Sequence, residues 1–322
     1  MKTKSLITLA ALLATTLACI LPCQAEEPAV YFEENGIKYC TYPSVKYCKV
    51  VENRENQYTG VVEIPDSAGG LPVTIIGSFA FKRCKTLTEV RVGNNVTELE
   101  NLPFWDCHAL EKVVLPETLQ LLGDRTFMGC WSLKEVNIPE GITWIGTETF
   151  KGCKSLEEIV LPENVTTIDI EAFRGCGVRN LNLPDSVRHI GDDAFRDSAL
   201  ETIHIGKGLS LIFPGVFNGC VNLREVYITA PEPPKYHAYS AFICEENLGN
   251  IVLYVPQASM EKYKESEYWS QFKEIRSIET AGIADVETDR KNPDVIHDLQ
   301  GRRLKHTVPG INIVNGKKIL VR

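Results

Sequence analysis

Seven phenylalanines recur at almost constant intervals, at Phe81, Phe104, Phe127, Phe150, Phe173, Phe195 and Phe217, with steps of 23, 23, 23, 23, 22 and 22 residues. A beat of this length means one short structural unit stacked many times, and such arrays bind partners more often than they transform them.

Other positions keep the same period. Five residues before each Phe stand Ile76, Leu99, Leu122, Ile145, Ile168, Ile190 and Ile212. Eight before it stand Val73, Val96, Leu119, Ile142, Val165, Val187 and Leu209. Three after it stand Cys84, Cys107, Cys130, Cys153, Cys176 and Cys220, with Ser198 as the exception. Each unit closes on an alternating triplet such as Val113-Val114-Leu115 or Ile203-His204-Ile205. Period two predicts a short strand with its outer pair inward and its middle residue outward. Pro116, Pro139, Pro162 and Pro184 follow directly and, lacking an N–H, end the ladder there. The stretch around each Phe, for example Thr147 to Cys153, predicts a single helical turn closed by Gly. One unit cannot bury its apolar face alone, whereas stacked units share a continuous core. The expected fold is therefore a repeat solenoid with one short strand and one short helical turn per unit of 22–23 residues.

The signature Ile142-Thr143-Trp144-Ile145-Gly146, then Thr149-Phe150-Lys151-Gly152-Cys153, then Leu156-Glu157-Glu158-Ile159-Val160-Leu161-Pro162 resembles the BspA-like class of bacterial leucine-rich repeats. The resemblance runs from about residue 61 to 230. It implies a leucine-rich repeat scaffold and a role in adhesion or host interaction, with the surface varied from member to member. The second unit departs most, with Glu100, Pro103 and Trp105 where its neighbours have Gly, a small residue and a polar one. A locally bulged rung is expected there.

The ends read differently. Lys2 and Lys4, an apolar run from Leu6 to Leu21 and Pro22-Cys23-Gln24-Ala25 make residues 1–25 a signal peptide, with a retained anchor as the competing reading. Residues 26–62 form an expected N-terminal β cap with strands Ile37–Tyr42 and Val45–Glu52. Cys40 and Cys48 are a candidate disulfide there: they face each other across a three-residue loop but not across a two-residue one. The repeats occupy residues 63–230. A terminal repeat and helical cap follow at 231–278, with Asn250–Val255 as a last strand and Tyr263, Tyr268 and Trp269 on a helix. Residues 279–322 are a linker and a small β tail, similar to the sorting tails that direct Bacteroidetes proteins across the outer membrane by the type IX route. That likeness makes the outer-membrane secretion machinery a candidate partner, with a plain β module as the other reading. The chain is expected to be secreted or displayed at the cell surface, with the periplasm as an alternative.

The formal charge of −8 argues against nucleic acid and anionic membranes as partners. No C-x-x-C occurs, and the six histidines are scattered without an i, i+4 pair, so neither a metal site, a cofactor site nor a catalytic site is expected. The cysteine column reads as a row of small buried residues with free thiols. One constellation remains, the outward column of the strands. From it Arg91, Asn137, Asn182, His204 and Tyr227 are the candidate ligand-binding residues, for a protein or a glycan. An ordinary solvated sheet face is the plainer reading of the same residues. The loop Lys235-Tyr236-His237-Ala238-Tyr239 is a second candidate anchor. The expected function is a non-enzymatic adhesion module. A glycan-binding accessory of nutrient uptake and a structural envelope protein are the alternatives.

Overall fold

The computed structural model describes residues 27–54, 57–236 and 250–279, with the backbone of five short strands between 284 and 321. The candidate signal peptide at 1–25, and His237, Ala238 and Tyr239 of the second candidate anchor, lie outside the described residues.

The alternating triplets form a parallel ladder. Thr59–Glu63, Thr86–Arg91, Lys112–Val114 and Glu135–Val136 pair in order. The ladder resumes with Asn180–Leu183, Thr202–Ile205, Glu225–Ile228, Val252–Val255 and Glu274–Ser277. Between the two runs, Ile159 and Leu161 remain buried and Val160 outward, so the alternation continues where the pairing is interrupted.

Each turn carries a second strand that the single-strand expectation lacked. Leu71–Ile76, Glu98–Leu99 and Leu121–Leu122 pair in parallel, as do Trp144–Ile145, Thr167–Ile168, His189–Ile190, Leu211–Ile212 and Lys235–Tyr236. These strands point the Ile/Leu column inward, where Ile76, Leu99, Ile145, Ile168, Ile190 and Ile212 are fully buried.

The expected helical turn around each Phe is instead a pair of reverse turns. Residues two before and two after the Phe take left-handed backbone, as at Glu148 (φ 53°) and Gly152 (φ 76°), and such residues stop a helix from propagating. Bonds of the i, i+3 kind close the turns, with Cys153 N donating to Phe150 O at 3.1 Å. The freed amides pair between turns: Phe127 N donates to Thr149 O at 2.9 Å and Phe150 N to Ala172 O at 2.7 Å. Inside this corner the seven rings stack with centroids 5.1–5.9 Å apart and planes within 21° of parallel. Beside them the thiols donate to carbonyls of the preceding turn, Cys130 Sγ to Phe104 O and Cys153 Sγ to Phe127 O at 3.2 Å each. Burial pushes the Cys176 thiol up to about 12 and the Cys220 thiol up to about 11.

The second unit is in register, without the expected bulge. Ile76, Leu99 and Leu122 pair in sequence, and Glu100 N donates to Ile76 O at 2.9 Å. Glu100 fits the glycine position because its carboxylate turns outward to Lys49 Nζ at 3.0 Å and Ser78 N at 2.8 Å. The register shifts lie earlier, at Cys48/Lys49 and Gly60/Val61.

The N-terminal cap has three strands, Val30–Glu34, Ile37–Thr41 and Cys48–Val50, and the last hands over to the second ladder by pairing with Leu71–Ile76. Cys40 stands opposite Lys49 and Tyr39 opposite Val50, so Cys40 and Cys48 are offset by one residue and project to opposite faces. They are separate buried thiols, which corrects the candidate disulfide.

The distal cap extends the solenoid rather than merely covering it, since Glu274–Ser277 adds a strand to the first ladder. Its α-helix spans only Met260–Glu265. Tyr263 Oη donates to Ala230 O at 3.0 Å and Trp269 Nε1 to Pro234 O at 2.9 Å, pinning both buried rings to the proline-rich segment. The tail forms a separate sheet of Ala284–Asp285, Lys317–Val321, Gly310–Val314, Ile296–His297 and Arg303–Leu304.

Candidate functional site on the strand face

Register on the first ladder fixes which side chains share its outer face. In order along the solenoid these are Glu63, Arg91, Val114, Asn137, Val160, Asn182, His204, Tyr227, Tyr254 and Arg276. The five residues singled out from the sequence therefore belong to one column, but they divide into two different environments.

The first stretch is open. Arg91 is exposed and donates to Glu63 Oε1 at 2.7 Å and Glu89 Oε1 at 2.8 Å, and Lys112 meets Glu135 at 2.6 Å. Asn137 is engaged with backbone: its Oδ1 accepts from Leu115 N and its Nδ2 donates to Leu115 O, both at 2.8 Å. This amide continues the link between the two turns beyond their last strand pair, Val113 with Val136, so Asn137 holds adjacent turns together. Val160 is 71% exposed.

The second stretch is a row of flat polar side chains. The His204 and Tyr227 rings stack at 4.4 Å, and Tyr227 stacks on Tyr254 at 4.4 Å with planes 7° apart. Arg276 Nη1 donates to Tyr254 Oη at 3.4 Å, while its Nη2 donates to Glu274 Oε2 at 2.6 Å. Tyr227 Oη donates to Glu225 Oε2 at 3.1 Å. Burial, and next the Glu225 carboxylate, raise the Tyr227 phenol well above its ordinary range, so it remains a hydrogen-bond donor at neutral pH. Asn182 borders the row and is half-buried. Stacked on one another, these rings keep their faces inside the row, and His204, Tyr227 and Tyr254 are buried while Arg276 at its end is exposed.

Tyr254 and Arg276 extend the column beyond the residues identified from sequence. Their signal was present, since Val252-Leu253-Tyr254-Val255 repeats the alternation of Glu225–Ile228, but Glu274–Ser277 follows a helical cap and hid the last rung. Of the second sequence candidate only Lys235 and Tyr236 are described: they form a strand of the second ladder, and Tyr236 packs on Tyr268 of the cap at 4.5 Å.

A further surface feature had no periodic signal. Along the reverse-turn corner, Trp105 lies 6.3 Å from Phe79, with Lys82 and Arg83 over its ring at 5.1 Å and 4.6 Å. His108 stacks on Trp131 at 4.0 Å, and Lys154 reaches over the same indole at 5.5 Å. These residues change identity from turn to turn, so only the folded chain unites them. Among the described residues no group of three or more His, Cys, Asp or Glu could hold a metal ion.

The chain matches the family described as BspA type leucine-rich repeat region, in six copies over residues 62–176 and 143–268. No curated protein matches it. Among solved structures it is similar to a leucine-rich repeat protein of T. pallidum, with 26% identity over 61% of this chain and 81% of that one and a TM-score of 0.44. A leucine-rich cell surface protein from Faecalibacterium prausnitzii aligns at 17% identity over 79% of this chain and 96% of that one, TM-score 0.46. A leucine-rich repeat protein from Bacteroides ovatus aligns at 21% identity over 77% of each chain, TM-score 0.40.

Proposed function

Because the chain belongs to the BspA-type leucine-rich repeat family, we propose that it is an exported, non-catalytic binding module that engages an extracellular protein or glycan through its strand face. The observation that carries this reading is the outward column itself, which runs from Glu63 to Arg276 and whose first stretch exposes Arg91, Val114 and Val160. A leader-like segment at 1–25 supports export, and the C-terminal unit is the candidate sorting signal. Adhesion or host interaction is the role this reading assigns.

The test is capture of the full chain on arrays of matrix proteins and glycans, compared with a Val114→Glu/Val160→Glu double variant. Both side chains are exposed on the open stretch, so the fold tolerates the change. Capture that falls by about tenfold or more in the variant is expected, since a buried unpaired charge at an interface opposes binding. Capture undiminished in the variant would move the site off the strand face, and no capture by the parent chain would contradict the binding reading.

A further inference from the structure

The outward column changes exposure abruptly along its length. Val160 is 71% exposed, whereas His204, Tyr227 and Tyr254 are 4%, 6% and 6% exposed, although register turns the three rings, and the alternation of buried Ile159 and Leu161 turns Val160, to the same side. Ring stacking does not account for this. Each ring in the row has its two faces covered by neighbours one strand away, but its outer edge points away from the sheet, and an open sheet face would leave that edge in water. Something above the ladder covers it. The strand Gly310–Val314 of the C-terminal sheet is at that place, with Cα atoms within 8 Å of those of Thr202–Ile205. Charge agrees: residues 280–322 hold eight Lys/Arg and five Asp/Glu, a net of +3 in a chain of −8, and Glu225 flanks the aromatic row, while Glu274 is already paired with Arg276.

We propose that the C-terminal sheet closes over the aromatic half of the strand face, with Gly310–Val314 as the covering strand. The aromatic row from His204 to Tyr254 is then a built docking site whose resident occupant is the chain's own tail. The open stretch around Arg91 and Val160 stays accessible throughout. The consequence rests on the strand-face reading: an external ligand reaches the aromatic row only when the tail has left, while the open stretch is available in both states.

The full chain with a protease site inserted between Ala281 and Gly282, ahead of every strand of the C-terminal sheet, tests this without any ligand. Diethyl pyrocarbonate labels accessible imidazoles, and His189, exposed on the second ladder, serves as the internal reference. In the intact chain His204 is expected to label about tenfold more slowly than His189, because it reacts only through local opening. After cleavage and removal of the tail in high salt, which screens the charge attraction, its rate should rise toward that of His189. Protection that persists after cleavage and disappears only when salt releases the tail supports the same conclusion. Equal labelling of His204 and His189 in the intact chain would overturn the proposal, as would protection that survives complete removal of the tail. Either failure leaves the array result untouched, so the cover and the binding surface are judged separately.

Discussion

A phenylalanine at the same corner of seven turns gives each interior ring two Phe neighbours, and this makes interior rings costly side chains to remove. Phe150 is fully buried between Phe127 and Phe173, at 5.4 Å and 5.2 Å. Phe150→Ala is expected to lower unfolding stability by about 3–5 kcal/mol in urea titration, and Phe150→Leu by less. Glu148, at the same corner, is a different case. Burial alone would raise its carboxyl, but hydrogen bonds from Lys151 and Arg125 outweigh this and hold it below the ordinary 4.5. A carboxylate with a depressed folded-state value stabilises the fold above its unfolded value and loses that contribution as pH falls through the folded one. Melting temperature should therefore drop more steeply below about pH 4.5 in the parent than in Glu148→Gln. A parallel acid limb in the two proteins would contradict it. The Phe column was legible in the sequence because burial demands the same residue every turn. The Glu148 cluster was not, because its partners lie three and 23 residues away on an exposed corner where no column repeats.

At the scale of elements, the triplet strands were legible because three alternating residues suffice to state a face. The second ladder is not legible in the sequence because its strands mostly contain one inward residue beside one outward, too few to show a period. The corner misread as a helical turn illustrates another limit. Glycine after the Phe was visible, but the left-handed residue before it is Glu148, Glu171 or Asp193 in successive turns, and side-chain type does not announce that conformation. Cys40 and Cys48 illustrate register: two buried cysteines on adjacent strands fail to meet because of a one-residue offset. Asn137 has the opposite history. Its place in the outward column suggested ligand contact, whereas its amide joins two turns through Leu115. Asn137→Ala should cost about 1–3 kcal/mol of stability, the penalty of leaving backbone groups without their partner. Thermal or chemical denaturation reads this directly, and an unchanged midpoint would return Asn137 to the list of free surface groups.

Across the whole molecule, the solenoid converts a repeat of buried residues into a surface of unconstrained ones, and function belongs to the latter. Two surfaces compete for that role. One is the strand face, where Val160 stands at the middle of the outward column. The other is the corner ridge, where Trp131 is 49% exposed beside His108 and Lys154. The column was half legible in the sequence, as far as Tyr227, while the ridge and the covering tail depend on which turns become neighbours. The most direct measurement is the affinity of a ligand captured on the arrays for Val160→Glu and, separately, for Trp131→Glu. Binding through the strand face predicts a loss of about tenfold or more for Val160→Glu and an unchanged affinity for Trp131→Glu. The reverse pattern would contradict the account and assign recognition to the corner ridge.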